Sequence, residues 1–281
     1  MNDPIQIGQP WQPLSEPADA AELVEGALLI AADEYPGLDV RGYLDRIGQM
    51  ARTLRARLRP DISPADSIFA LNHYLFDELG YSGNAPDFFD PRNSFLNEVM
   101  DRRLGIPISL AVIYIAVGRC IGLPLQGVSF PGHFLVKCTL HTGVIMLDAY
   151  EKGASLDAKT LEQRWRAASG HALSDTRAFR VALQTASNTE ILARMLRNLQ
   201  AIYLRQDNLD KALWAVDRII RLTPNAADAY RERGRIYLEM QCVRGALGDF
   251  RSYLALDPSA ADADAVRSRI AELQTLARRL N

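Results

Sequence analysis

The sequence has few cysteines, no surplus of basic residues and no long apolar run. Its three cysteines among 281 residues, Cys120, Cys138 and Cys242, are far apart and form no CxxC pair. So low and odd a number predicts a reducing, cytoplasmic compartment, with no disulfide framework and no zinc site. A net charge of -2 argues against a nucleic-acid partner, which requires a basic surface. No apolar run approaches the ~20 residues that span a bilayer, and the first residues lack a signal-peptide pattern, so we expect no membrane segment.

The length of 281 residues allows two domains of ordinary size. The first 17 residues contain four prolines, a density that favours an extended, disordered tail over 1–18. Helical patterns follow, then β-rich runs, and then helical patterns to the end. Several helices before a few short antiparallel strands indicate an α+β domain. We therefore predict an α+β domain over 19–185 and an all-α domain over 186–281.

Within the first domain, the hydrophobic periodicity predicts five helices and three strands. The fifth helix is apolar on every side, which is typical of a buried central helix. We expect the fourth helix to end at Gly105 and no strand to follow Tyr150. The predicted helices are 19–32, 40–58, 63–80, 95–105 and 107–122, and the predicted strands are LQGVSF, HFLVKCTL and VIMLDAY, with a turn at HTG.

The C-terminal part of the chain repeats with a period of 34 residues. Small residues recur where two helices would cross, aromatic residues recur beside them, and prolines recur where the second helix would end. This pattern resembles the tetratricopeptide repeat, with units at about 193–226 and 227–260 and a final helix at about 261–280. Ser187 and Glu190 form a capping box for the first of these helices. The repeated pairs are Tyr203 and Tyr237, Ala212 and Ala246, and Pro224 and Pro258.

Arginines recur at helical spacing on the first helix of each repeat, the helix that lines the groove in such repeats. They are Arg194, Arg197, Arg205, Arg231 and Arg235. A row of guanidinium groups could hold an acidic peptide or a terminal carboxylate through paired hydrogen bonds. Alternatively, these arginines are solvated or paired with acidic residues of the second repeat, namely Asp228, Glu232 and Glu239. The first alternative predicts an unidentified protein or acidic peptide as the partner.

His133 and Asp148 lie 15 residues apart, on either side of the HTG turn. If that turn centres near Leu140 and His141, the two side chains lie side by side, and a shift of two residues keeps them neighbours. With the buried helix that Pro107 begins, this order resembles the transglutaminase-like (papain-like) superfamily. There, a cysteine at the start of the central helix faces a histidine and an aspartate on adjacent strands. The resemblance implies that the histidine takes the proton of the thiol and the aspartate orients the histidine.

The expected cysteine is missing. Counting back from the GLP that follows the helix places the nucleophile position on Pro107, with Ser109 two residues later. Cys120 lies near the far end of the same helix, and Cys138 is predicted on the opposite strand face from His133. We favour a non-catalytic interaction or regulatory protein, a pseudoenzyme. The alternative is a hydrolase or acyl transferase that uses Ser109 with the His–Asp pair, which requires the hydroxyl within reach of His133 Nε2.

Further residues near the central helix are candidates for a pocket. Asn97, Glu98 and Arg103 precede this helix, where they either line a cleft or fix a loop by hydrogen bonds. Phe130 lies close to His133 in a run that suits a pocket wall. The other histidines have no metal-ligand spacing with one another or with cysteine, so we predict no metal site.

Four segments of the first domain carry a more specific resemblance. They are EYPGLD at 34–39, LNHYLFDELGYSGN at 71–84, NSFLNEVMDRRLGIPISLAVIY at 93–114 and FPGHFLVK at 130–137. Their order and spacing are similar to those of the SirB-type bacterial proteins, in which a degenerate transglutaminase-like domain precedes tetratricopeptide repeats. One departure is Ala149-Tyr150, where Pro-Phe is expected after the aspartate. The resemblance covers roughly 20–260 and implies a cytoplasmic protein without a cofactor.

Overall fold

The structure, a computed structural model, describes residues 20–169 and 176–279. The tail predicted at 1–18 lies outside the described residues. Contacts along the chain divide the described residues into a larger unit, 20–212, and a smaller unit, 213–279. The fold class is the predicted one, because helices and a small antiparallel sheet come first and helical repeats follow. No helix of these ranges is both long enough and apolar enough to cross a bilayer.

Two helices of the larger unit begin at residues that the sequence marks as capping residues. Asp39 accepts a backbone hydrogen bond at the start of the second helix, and Ser63 does so at the third, which Pro64 begins. The third helix continues as a π-helical segment over His73–Glu78. The helices are α1 (Ala20–Glu34), α2 (Val40–Arg55), α3 (Pro64–Asn72), α4 (Leu96–Arg102), α5 (Pro107–Cys120), α6 (Ala158–Ser169), α7 (Thr176–Ala182) and α8 (Asn188–Arg205).

Helix α5 is the buried centre of the larger unit. All of its residues from Pro107 to Gly118 are buried, which agrees with a helix that is apolar on every side. Helix α4, which precedes it, is capped at Arg103 and does not continue to the predicted Gly105. Arg103 adopts the left-handed conformation with φ 61°, and its amide bonds to the Val99 carbonyl, so the helix closes two residues early.

The strands of the larger unit form two sheets. They are β1 (Ser82–Gly83), β2 (Leu104–Gly105), β3 (Leu125–Val128), β4 (Leu135–Leu140), β5 (Gly143–Asp148) and β6 (Ala154–Leu156). β1 pairs with β2 in parallel, and β3, β4, β5 and β6 form an antiparallel sheet in chain order. The prediction that no strand follows Tyr150 was wrong. β6 has only three, partly exposed residues and so shows too little alternation to be recognised.

Helix α8 groups with the larger unit, although the sequence predicts the domain boundary near 185. The helix begins at the predicted capping box of Ser187 and Glu190 and packs against α1 and α5. Leu196 and Leu199 on its apolar side are completely buried. Because α1 and α5 cover this side of α8, the contacts group α8 with them, and the chain divides after Ala212.

The smaller unit contains the helices of the second repeat. Helix α9 (Leu209–Leu222) crosses the division, and α10 (Ala227–Glu239), α11 (Val243–Leu256) and α12 (Ala263–Arg279) follow. α10 packs against α11, and α11 packs against α12. Small residues lie where these helices approach closely. Ala246 is completely buried, and a Cβ at Gly234 would come within 2.9 Å of the Phe250 ring.

Candidate functional site

The structure brings His133 and Asp148 together. His133 lies two residues before β4, and Asp148 is the last residue of β5. Val136 pairs with Leu147, so the β4–β5 register brings Asp148 next to Leu135, two residues after His133. The distance between His133 Nε2 and Asp148 Oδ1 is 2.9 Å.

The carboxylate of Asp148 is completely buried and has partners on every side. Its Oδ2 accepts a hydrogen bond from Arg164 on α6 at 2.6 Å, and Oδ1 also accepts the backbone amides of Tyr150 and Glu151. Burial alone would raise the pKa of Asp148. The hydrogen bonds and charges of His133 and Arg164 outweigh burial and hold this pKa below its ordinary value.

The contact with Asp148 also determines which ring nitrogen of His133 carries the hydrogen. Because the ionised carboxylate only accepts, Nε2 carries the hydrogen and donates it to Asp148. The serine mechanism predicted from the sequence requires Nε2 for the nucleophile. That assignment needs correction, since Asp148 occupies Nε2 and Nδ1 is the nitrogen on the other edge of the ring.

Ser109 has a different role in the structure. Its side chain is completely buried, and its hydroxyl donates to the Asn93 carbonyl at 2.6 Å and accepts from the Ile106 amide at 3.1 Å. These bonds fix the start of α5 to the preceding loop. The hydroxyl is therefore engaged with backbone groups and is not bonded to His133.

A cavity of about 220 Å³ opens beside His133. Its walls come from the loop before α4, the start of α5, the segment before β4, and α8. Pro107, at the position where the superfamily resemblance expects the nucleophile, is one of the lining residues. The lining consists of Phe88, Phe89, Ile106, Pro107, Ile108, Gly132, His133, Phe134, Arg194, Asn198, Ala201 and Ile202.

The four residues predicted for a pocket lie elsewhere. Phe130 is completely buried and packs against Trp165. Asn97 is also buried, and Glu98, beside Tyr35, adds to the effect of burial in raising the pKa of Tyr35 to about 12. Arg103 ends α4. The cavity lining therefore includes none of these four described residues, because the chain directs them into the core or toward other loops.

Arg194 lies at the cavity and close to the histidine. Its guanidinium donates to the Ser129 hydroxyl and to the His133 carbonyl, each at 2.7 Å, and lies over the Phe134 ring. Burial lowers the pKa of Arg194, and the positive charge of Arg197 lowers it further. Arg194 therefore joins α8 to the segment that carries His133.

Arg205 and Arg197 are exposed on the same helix. The Arg205 guanidinium lies 3.9 Å from the centre of the Phe89 ring, which is a close cation–π contact at the edge of the cavity. Arg194, Asn198, Ala201 and Arg205 follow one another at helical spacing, so this face of α8 runs along the cavity.

In the smaller unit, the two predicted groove arginines have acidic partners. Arg231 bonds to Asp262 at 3.1 Å, and Arg235 bonds to Glu232 at the same distance. Both side chains are therefore paired internally. Glu232, one of the partners named above, contacts both arginines, whereas Asp262 was not among the residues named.

Sequence reasoning missed Arg164, Asn198, Phe88 and Phe89. Arg164 stands among other charged residues of an amphipathic helix, and nothing in that pattern distinguishes it. The two adjacent phenylalanines within a loop rich in Asp and Pro were a usable signal, since large aromatic residues in such a loop need a reason to be there.

Two family models match the chain in tandem. The transglutaminase-like superfamily matches residues 41–197, and the tetratricopeptide repeat matches residues 199–271. The UPF0162 protein of Xylella fastidiosa (strain 9a5c) is 43% identical over 264 residues, with 94% of each chain covered. The UPF0162 protein of Vibrio cholerae is 30% identical over 240 residues, 85% of this chain and 87% of that protein. Human F-box only protein 21 is 30% identical over 181 residues, 53% of this chain but 28% of that protein.

The class defined by fold and site is thus a transglutaminase-like domain joined to tetratricopeptide repeats. Within the transglutaminase-like superfamily, this chain belongs to the family of UPF0162 proteins. The SirB-type resemblance, with its order of domains, is confirmed.

Proposed function

We propose that this chain is a non-catalytic interaction or regulatory protein of the cytoplasm whose transglutaminase-like domain is a pseudoenzyme. The observation that carries the proposal is the residue at the start of α5. Pro107 lines the cavity beside His133, at the position where the resemblance expects a cysteine. Proline has neither a thiol nor a hydroxyl, so this position offers His133 no nucleophile to activate.

No other side chain of the site replaces the missing thiol. Cys120 is exposed at the far end of α5, about 20 Å from its start at 1.5 Å per residue. Cys138 is buried in β4, where burial raises the pKa of its thiol and disfavours the reactive thiolate. The Ser109 hydroxyl is engaged by the Asn93 carbonyl.

A structural role accounts for the retained His–Asp pair. The Asp148 carboxylate connects the segment before β4, through His133, with helix α6, through Arg164. The same carboxylate caps the turn at Tyr150 and Glu151. Loss of either residue would therefore disturb the local fold whether or not a reaction occurs.

The tetratricopeptide match supports protein partners, since such repeats stack into extended binding surfaces. We infer a partner with an acidic or carboxylate group, because arginines follow the exposed face of α8. The three scattered free cysteines suit a reducing cytoplasm.

The test of the pseudoenzyme compares ester and amide hydrolysis by the full chain with hydrolysis by Ser109→Ala and His133→Ala. With p-nitrophenyl acetate and a glutamine anilide as substrates, we expect wild-type rates no higher than those of the variants. A wild-type rate at least ten times that of both folded variants would support the hydrolase alternative and refute the proposal.

The interaction part is tested by affinity capture from extract of the source cells with wild type and the Arg197→Glu/Arg205→Glu variant, which changes two exposed arginines of α8. We expect the variant to lose a partner that the wild type retains, while Arg41→Glu, at an exposed site on α2, retains it. An unchanged set of partners would refute the role of these arginines.

A further inference from the structure

The cavity beside His133 contains a cation without a matching anion. Arg194 uses two of its five N–H groups on the Ser129 hydroxyl and the His133 carbonyl, which are both uncharged. A half-buried guanidinium gains most from a carboxylate, which accepts two parallel hydrogen bonds. Since burial and Arg197 already lower its pKa, the surroundings of Arg194 favour a negative charge, which none of its hydrogen-bond partners among the described residues supplies.

The ionisable side chains that line the cavity are basic. Among the described residues that line it, none is acidic, and Arg194 and His133 are the titratable ones. Arg205 adds a second cation at the edge through its contact with Phe89. The nearby Asp148 carboxylate is completely buried and already shared by His133 and Arg164, so it does not neutralise the cavity.

The rest of the cavity suits an apolar group. Its lining includes the apolar side chains of Ile106, Pro107, Ile108, Phe134 and Ile202. Its volume of about 220 Å³ exceeds the roughly 150 Å³ that accommodates a benzene ring. One aromatic or aliphatic side chain therefore fits, and the polar backbone groups of the same residue would lie near Arg194 and Asn198.

We propose that this cavity binds the C-terminal residue of a partner polypeptide, with an apolar side chain enclosed by its walls and the α-carboxylate held by Arg194. This inference rests on the proposed function, because it names the part of a protein partner that the site would recognise. Asn198, one helical turn beyond Arg194, is placed to donate its amide to the same carboxylate.

A C-terminal residue fits this arrangement better than an internal acidic residue. Its carboxylate and its side chain leave the same Cα, so the two groups reach an adjacent cation and apolar wall at once. An internal glutamate brings its carboxylate on a short methylene stem and leaves the apolar walls largely unfilled. The capture of a terminal carboxylate by fixed donors is a known mode of peptide recognition.

The experiment uses the full chain and three fluorescein-labelled peptides whose binding is followed by anisotropy. The first ends in phenylalanine with a free carboxylate, the second is the same peptide as a C-terminal amide, and the third has an internal glutamate and a C-terminal amide. We expect the free acid to bind at least ten times more tightly than either amide. A fourth probe, 3-phenylpropanoate, competes for the cavity without a peptide and should bind more weakly than the free-acid peptide.

Two variants and one control locate the binding. Arg194→Gln should weaken the free-acid peptide at least tenfold and leave the amide unchanged, because only the carboxylate contact is lost. Ala201→Trp fills the mouth of the cavity from an exposed position and should abolish binding without lowering the melting temperature. Arg41→Gln, the same change at an exposed site on α2, should bind as the wild type does.

The outcomes separate this inference from the proposed function. Equal binding of acid and amide, preference for the internal glutamate, equal binding of 3-phenylpropanoate, or absence of binding would each overturn the inference. Mass spectrometry of the peptides after incubation tests the pseudoenzyme separately. Cleavage of a bound peptide would refute the pseudoenzyme while the C-terminal binding mode stood, whereas intact but unbound peptides would refute only the binding mode.

Discussion

Two partly buried arginines, one in each unit, have opposite electrostatic surroundings. In the smaller unit, Arg233 makes two hydrogen bonds to Asp249 and one to Asp217, each at 2.7 Å, and these carboxylates raise its pKa. In the larger unit, Arg194 bonds to two uncharged oxygens, and burial lowers its pKa. Arg233, the cation that carboxylates match, holds helices of its own unit together. Arg194 has no carboxylate partner among the described residues and is unmatched in this sense, so its remaining N–H groups are available for an anion from outside.

The largest expected effect follows from removing the matched cation. Arg233→Met leaves the Asp249 carboxylate buried without its partner, and breaking a buried pair in this way costs about 3 kcal/mol. Arg194→Met leaves only uncharged acceptors, so we expect a cost of about 1 kcal/mol. Urea unfolding followed by circular dichroism measures both, with Arg41→Met as an exposed control. Equal costs for the two variants would show that Arg194 is as fully matched as Arg233.

The next effect concerns the matched anion of the larger unit. Asp148→Asn should cost about 2 kcal/mol of unfolding free energy at pH 7, because Arg164 and His133 lose a buried carboxylate. Since the folded-state pKa of Asp148 lies below the unfolded value of about 3.9, its contribution is complete above that value. The contribution is lost as the pH falls through the folded-state pKa.

Thermal unfolding between pH 2 and pH 7 checks the sign of this effect. The difference between wild type and Asp148→Asn should keep its full size down to about pH 4 and should shrink below that value. Asp45→Asn, at an exposed carboxylate on α2, should show no such trend. A difference that failed to shrink below about pH 4 would contradict the carboxylate network.

A smaller effect tests whether the His–Asp pair still faces the start of α5. Pro107→Cys places a thiol at a helix N-terminus beside His133, and both influences favour the thiolate. Iodoacetamide should alkylate this thiol about ten times faster than Cys120 at pH 6.5, a difference of about 1.4 kcal/mol in the activation free energy. Mass spectrometry of peptides gives both rates in one sample.

The double variant Pro107→Cys/His133→Ala is the matched control for this reactivity. It keeps the helix N-terminus and removes the imidazole, so the rate should fall toward that of Cys120. A thiol that reacts no faster than Cys120 in the single variant would show that the cavity no longer has the geometry of an active site.

The sequence predicted what depends on local patterns. Capping residues such as Ser63 and Ser187 mark helix starts, the apolar run after Pro107 predicted the buried α5, and the period of 34 residues predicted the paired helices of the smaller unit. The spacing of His133 and Asp148 across one hairpin sufficed to bring them together, because strand pairing is set by a two-residue turn.

The cavity could not be predicted because its walls come from segments far apart in the chain. The Phe89 ring contacts Arg205, and the His133 carbonyl accepts a hydrogen bond from Arg194, only when α8 packs against α1 and α5. The same packing explains why the observed division follows Ala212 and not residue 185. Arg164 escaped notice for a similar reason, since its partner Asp148 is fixed by the sheet and not by any spacing within α6.

The smallest effect concerns Arg205, at the edge of the same cavity. Its contact with Phe89 is exposed, so Arg205→Gln should cost the fold at most about 0.5–1 kcal/mol. Binding of the free-acid peptide should weaken only two- to fivefold in anisotropy titrations. Arg205 attracts the carboxylate through its positive charge at the mouth of the cavity, whereas Arg194 binds the carboxylate directly. Arg205→Lys, which keeps the charge, should restore most of that loss. If Arg205→Gln weakened binding more than Arg194→Gln, the carboxylate of the peptide would lie at the mouth of the cavity. The contrast between Arg233, which has carboxylate partners, and Arg194, which has none among the described residues, would then explain differences in stability but not in binding.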